Sequence, residues 1–380
     1  MFKINEKEII KLTCDLIKKK TINPPGNEYL TAPIVKRAME KLGMEIKVKE
    51  KEKGRTNIIG KIGKGKPSVA LISHMDVVPP GEGWKTDPFE PVIKNGRIYG
   101  RGALDDKGPF AISYGAIKAF LTKNPKFQGT IYLLAAADEE KGSELGMKWL
   151  VKKGFKVDFA LIPDNGLMDT AVIGEKGVIW LKITSFGKQA HGSTPHLGIN
   201  AIEKLAKLLL KIQKINFGKN FNRAFQPPTL NIGQIQGGHA PNIVPAEAEA
   251  KIDIRYPLGI KKEDILQKIK REIEKFKKED PKAQFKVEVL DWQKPHLVPE
   301  DSPFCQKFLE AAKELKMPMK LKTVGGITVG KNLFFAGIPV ICHYPTKKML
   351  AHTANEYVEI KNLIKTTKLY ALFLEKLLVK

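Results

Sequence analysis

The feature that most constrains this chain is an alternation. Short apolar, strand-like runs at 57–62, 68–73, 129–137 and 158–162 are interspersed with stretches whose apolar residues recur at helical spacing. Helices are predicted at 5–20, 28–42, 107–122 and 143–153. In the second, Ala32, Ile34, Val35, Ala38, Met39 and Leu42 share one stripe, and Gly43 follows as a stop. Asp105 or Asp106 is expected to cap the third. Strands alternating with helices predict an α/β domain with a mostly parallel sheet flanked by helices.

Near residue 178 the pattern changes. Segments 178–185, 229–236 and 248–256 alternate apolar and polar residues, as half-exposed antiparallel strands do. With a fourth strand at 286–290 and helices at 200–215 and 262–277, they predict a compact α+β unit of four strands and two helices. Residues 178–292 are therefore expected as an inserted domain. The larger domain comprises 1–177 and 293–380, resuming with helices at 302–316 and 360–378 and a strand at 339–343.

Composition closes off other classes. Cys14, Cys305 and Cys342 are too few for a disulfide framework, which points to a reducing, cytoplasmic compartment. The charged N-terminal stretch lacks the apolar core of a signal peptide. No apolar run approaches the ~20 residues needed to span a bilayer. Lys+Arg is 65 against 41 Asp+Glu, a net charge of +24. That excess invites a nucleic-acid reading. Yet the lysines are scattered among acids, as on the amphipathic stretch 261–280, and no nucleic-acid motif accompanies them. A solvated basic surface is the better account, and neither nucleic acid nor membrane is expected as a partner.

The chemistry sits at strand ends. SHMD places His74 and Asp76 after one strand, GALDDKG places Asp105 and Asp106 at a helix entrance, ADEEKG places Glu139 and Glu140 after another strand, and PDNG places Asp164 after a third. Open α/β sheets bind ligands outside the carboxyl ends of their strands. Imidazole and carboxylate are zinc ligands in catalytic sites, and a shared carboxylate can bridge two cations suited to amide hydrolysis. Of two adjacent glutamates, one can ligate while the other stays free as a base. His-x-Asp on an extended chain lets Asp76 orient His74. Each element alone is commonplace: Asp-Asp is more often a helix cap, Glu-Glu a solvated surface. Together they point to a metal site.

The motifs SHMDVVPPGEGWKTDPFEPVIKNGRIYGRGALDDKG, ADEEKGSELG, PDNG, AHGSTPHLGINA, GGHAPNIVPAEAEAKIDIRYP and AHTANEYV, in this order, resemble those of the co-catalytic zinc exopeptidases and deacylases. That family includes carboxypeptidase G, succinyl-diaminopimelate desuccinylase, acetylornithine deacetylase, aminoacylase and the peptidase V type dipeptidases. The resemblance implies two divalent metal ions, zinc or alternatively cobalt. His74 and Asp164 would bind one, Glu140 and His352 the other, and Asp105 both. It further implies that Asp76 orients His74, that Glu139 is the general base, and that the Asp105–Asp106 peptide is cis. The inserted unit matches the family's lid or dimerisation domain. By resemblance a homodimer is expected, in which His191 polarises the scissile carbonyl in the partner subunit's site. Asn242 and Arg255 would contact the substrate, Arg255 through its carboxylate, and the glycine loop VGGITVGKN would contribute Gly326 and Thr328.

The expected function is hydrolysis of an amide bond in a dipeptide, short peptide or N-acyl amino acid. N-acyl amino acid deacylation of the acetylornithine or succinyl-diaminopimelate type stands as the alternative to dipeptidase activity. Many deacylases carry Glu where this chain has Asp164, DDKGP and GEKGV lean toward the dipeptidases, and Lys331 stands near the dipeptidases' arginine. A metal-containing binding protein is the non-enzymatic reading, and a free Glu139 beside Glu140 argues against it. His196, His239, His296 and His343 have no assigned role.

Overall fold

The computed structural model describes residues 2–326 and 328–379. The chain divides into two compact units, one of residues 1–173, 298–322 and 327–380, the other of 174–297 and 323–326.

In the larger unit, hydrophobic strands buried on both faces form the centre of the sheet. The strand Ser68–His74 pairs in parallel with Gly129–Ala136 on one side and Phe159–Ile162 on the other, and Val340–His343 extends the parallel run. Antiparallel strands flank this centre: Thr56–Lys64 and then Glu45–Glu50 beyond Gly129–Ala136, and Thr170–Glu175 beyond Val340–His343. Val69, Ala70, Leu71, Ile131, Leu133, Ala160 and Leu161 are fully buried, which is why these runs read as continuously apolar.

Helices Lys107–Lys123 and Ile360–Leu378 are buried along most of their length and pack on each other. Pro33 at the first turn starts helix Ala32–Lys41, so the predicted 28–42 helix is a short 3-10 turn, Glu28–Leu30, followed by a break. The 143–153 helix shortens to Met147–Lys152 because Gly146 is pressed against the Ala137 carbonyl, where a Cβ would lie 1.8 Å from the oxygen. A small sheet of Val92–Lys94, Arg97–Tyr99 and Tyr357–Glu359 was not anticipated, since three-residue strands carry no readable period.

The smaller unit is a four-stranded antiparallel sheet in the order Thr229–Gly237, Glu247–Tyr256, Gly177–Phe186, Gln284–Gln293. Helices Ala201–Ile212 and Lys262–Glu279 cover one face, burying Leu205, Leu208, Ile265 and Ile269 against Ile179, Leu181, Ile252 and Ile254. Trp180 lies exposed on the other face. No helix among the described residues is long and apolar enough to cross a membrane.

Candidate metal centre

Three adjacent parallel strands deliver their donors at the same end. His74 closes strand Ser68–His74 opposite Ala136, Asp138 to Glu140 follow strand Gly129–Ala136, and Asp164 follows strand Phe159–Ile162. Asp105 comes in from the entrance of helix Lys107–Lys123. His352 comes from the turn before strand Tyr357–Glu359. Five residues spread over 279 positions thus form two triads, His74–Asp105–Asp164 and Asp105–Glu140–His352, each with ligand atoms within 4.8 Å of one another. Asp105 belongs to both. Its Oδ1 lies 3.1 Å from His74 Nε2 and its Oδ2 lies 3.2 Å from His352 Nε2, which is also 3.1 Å from Glu140 Oε2.

The local chain explains this placement. The Asp105–Asp106 peptide is cis. Asp106 occupies the helix N-cap position, but its side chain makes no cap bond; Oδ2 instead accepts from the His74 main-chain N–H at 3.0 Å. Gly108 follows because a Cβ there would lie 2.1 Å from the Ala103 carbonyl oxygen. His74 Nδ1 is 3.0 Å from the Asp76 main-chain carbonyl and 3.5 Å from the Asp76 carboxylate. The nearer acceptor orienting His74 is therefore backbone. The Asp76 carboxylate accepts from the N–H groups of Glu139 and Glu140, both at 3.1 Å, and from Asn23 Nδ2 at 2.8 Å. Asp76 so fixes the turn that carries both glutamates.

A second buried network lies behind that turn, and sequence reasoning missed it. Arg55 makes a two-pronged contact with Glu28 at 2.8 Å for each bond and reaches Asp138 Oδ1 at 3.0 Å. Glu28 also accepts from the Asp138 N–H at 3.1 Å, and Asn23 donates to Asp138 Oδ1 at 3.2 Å. Asp138 itself sits at φ +63°. Asn23 lies between the first two expected helices, and Glu28 reads only as the first residue of the second.

The electrostatics test whether the donors suit cations. Burial disfavours the His74 imidazolium, yet hydrogen bonds to Asp105 and Asp76 and the charge of Glu139 push its pKa well above the usual value. His352 is pushed up to about 10 by Asp105 and Glu140. Burial drives the Glu139 carboxyl well up, with Asp164, Glu140 and Asp76 adding to the push and His74 opposing it. The two histidines and Glu139 thus draw protons, while Asp105, despite its burial, is held well below the usual carboxylate range by His352 and His74. Glu140 Oε1 is buried with no hydrogen-bond partner among the described residues. An imidazole and carboxylate donor set with a partnerless buried oxygen fits a pair of divalent cations.

The family model for peptidase family M20/M25/M40 matches residues 70–376. The chain belongs to this family. It is 32% identical to a succinyl-diaminopimelate desuccinylase of Orientia tsutsugamushi, over 97% of this chain and 95% of that protein. It is 30% identical to an uncharacterized metallohydrolase of Methanocaldococcus jannaschii, over 96% and 98%. A tripeptidase from Staphylococcus aureus superposes with a TM-score of 0.81 at 25% identity, over 97% of this chain and 98% of that one. An M20 family metallo-carboxypeptidase from Sulfolobus solfataricus shares the fold at 0.77 and 22%, over 97% and 99%. This M20 member is a metal-dependent amide hydrolase that binds divalent metal, and its α/β architecture is that of the family.

The remaining predicted site residues lie apart from the two triads in sequence. In the smaller unit, His191 is exposed on the two-residue strand Ala190–His191, with Nδ1 2.8 Å from Ser193 Oγ. Asn242 adjoins it, its carbonyl accepting from Gly192 N at 2.7 Å. Arg255 is held by both carboxylate oxygens of Asp253, at 2.7 and 2.8 Å, and donates to the Gly325 carbonyl at 3.1 Å. Asp253 therefore competes for the charge expected to hold a substrate carboxylate. Gly326 falls in the 323–326 segment grouped with the same unit. Thr328 belongs to the larger unit, where its buried hydroxyl accepts from Gly330 N at 3.0 Å. His343 is a core residue whose Nδ1 lies 3.2 Å from the Tyr370 hydroxyl.

Proposed function

We propose that this M20 hydrolase cleaves the amide bond of N-acyl amino acids, substrates that carry a free carboxylate, using two zinc ions with cobalt as a competent substitute. The observation that carries the reading is the division of Asp105 between two histidines while Glu139 stands beside the ligand Glu140. The desuccinylase relatives favour the acyl class. The likeness to a tripeptidase favours short peptides as the second reading.

His74, Asp105 and Asp164 would hold one ion, and Asp105, Glu140 and His352 the other. When bound, such a pair supplies Lewis acidity and lowers the pKa of water. Glu139 takes a proton from the attacking water and delivers it to the leaving amine nitrogen. Asp76 keeps Glu139 and Glu140 in their separate roles through the two N–H bonds. By the family resemblance, His191 donates to the developing oxyanion from the second subunit of a homodimer. Arg255 and Asn242 contact the substrate, with Gly326 and Thr328 shaping the loop.

A hydrolysis screen of N-succinyl and N-acetyl amino acids against di- and tripeptides, with zinc or cobalt added, tests the substrate class. Turnover confined to peptides would overturn the acyl reading.

A further inference from the structure

Two residues of the quoted motifs remain without a role: Arg101 of GRGALDD and Glu356 of AHTANEYV. Both are buried, at 1% and 0% exposure. Glu356 Oε1 accepts from the main-chain N–H of Leu104 at 2.8 Å and of Asp105 at 3.0 Å. Its Oε2 receives Arg101 Nη1 at 2.6 Å. Arg101 Nη2 donates to the carbonyls of Pro80 at 3.1 Å and His352 at 3.4 Å, and the guanidinium lies 5.3 Å from the centre of the Trp84 ring. One ion pair therefore touches the backbone of Asp105 and of His352, two ligands of the same triad that come from segments about 250 residues apart. His352 itself sits at φ +66°, a conformation held only where its surroundings fix it.

The geometry points to Arg101 and Glu356 as positioning residues of the second cation site, setting the separation of Asp105 and His352 and hence that ion's affinity. Neither side chain reaches the ligand atoms; they act through the ligands' main chain. An apolar pair of similar volume removes both buried charges together and strands neither, though it leaves main-chain N–H groups unpaired. What an apolar pair cannot do is accept the Leu104 and Asp105 N–H groups and donate to the His352 carbonyl. Outer partners of metal ligands commonly change affinity by about 10–100-fold when removed.

This inference rests on the two-cation reading, and the test separates the two. Zinc affinity is measured by chelator competition, and the cobalt-substituted protein is followed by its visible absorption. The proteins are wild type, Glu356→Gln, and Arg101→Met combined with Glu356→Leu. The pair's role predicts two equivalents in wild type. In the variants the ion held by Glu140 and His352 should be weakened about 10–100-fold with an altered cobalt spectrum, and the other ion, which shares Asp105 but not His352, should be weakened less. Glu356→Gln leaves the Arg101 charge unmatched; should it not unfold cooperatively, the apolar double variant carries the same test. Two unchanged affinities in a folded variant would overturn the positioning role alone. A wild type that takes up fewer than two ions would overturn the two-cation reading with it.

Discussion

Arg55→Met offers a sharp test of what holds the glutamate turn. In the native chain the Glu28 side chain is 0% exposed and receives both Arg55 bonds at 2.8 Å. Its remaining donor is the Asp138 N–H. Removing the guanidinium deletes both bonds to Glu28 and the one to Asp138 and strands a buried carboxylate, a loss of about 3–5 kcal/mol for a broken buried pair. Protonation of Glu28 limits that loss. Burial and Asp76 already push its pKa up, and Arg55 is the main group opposing them. In the variant the folded-state value rises further above the unfolded one. Glu28 then contributes stability only at low pH and loses it as pH rises. The deficit should therefore be larger at pH 8 than at pH 5. Urea unfolding of metal-free wild type and variant at both pH values measures it. Replacing Glu28 and Arg55 together by leucine should cost less than Arg55→Met alone. A deficit below about 1 kcal/mol, or one independent of pH, would refute the assignment of Arg55 as the counter-charge of Glu28.

Other expectations follow from the same geometry. Glu139→Gln should lower kcat by about 10²–10⁴-fold while metal content stays at the wild-type level; near-native turnover would remove Glu139 as the base. His343 is buried and its pKa is lowered by burial to about 4. Its folded-state value lies below the unfolded one, so its contribution is complete above about pH 6.5 and declines as pH falls toward 4. The stability gap between wild type and His343→Gln should narrow by about 2 kcal/mol between pH 7 and pH 5, and a constant gap in urea titrations would contradict it. Mixing His191→Ala with Glu139→Ala protein should restore part of the activity, and exchange of subunits without recovery would exclude a histidine supplied in trans.

Much of this was legible in the chain because strand ends are. Apolar runs buried on both faces announce themselves; His74 closes one, and Glu140 and Asp164 follow shortly after two others. The smaller unit was visible through the period-two alternation of Glu247–Tyr256 and the helical spacing of Ile265, Ile269 and Ile273. Buried charge was not legible. Glu28, Arg55 and Asp138 lie up to 110 residues apart, and a charged residue carries no mark that it will be desolvated. Strand Glu45–Glu50 was missed because Val48 is exposed and the strand is mostly polar. The acceptor nearest His74 Nδ1 is a carbonyl, and only folding reveals which atom of a residue faces its partner.

The claim on which the account stands is that five side chains gather two cations through one shared carboxylate. Zinc stoichiometry by equilibrium dialysis with elemental analysis tests it on wild type, His74→Ala and His352→Ala. Two ions per chain in wild type and one in each histidine variant is the predicted result. One or none in wild type, or two retained in both variants, would contradict it.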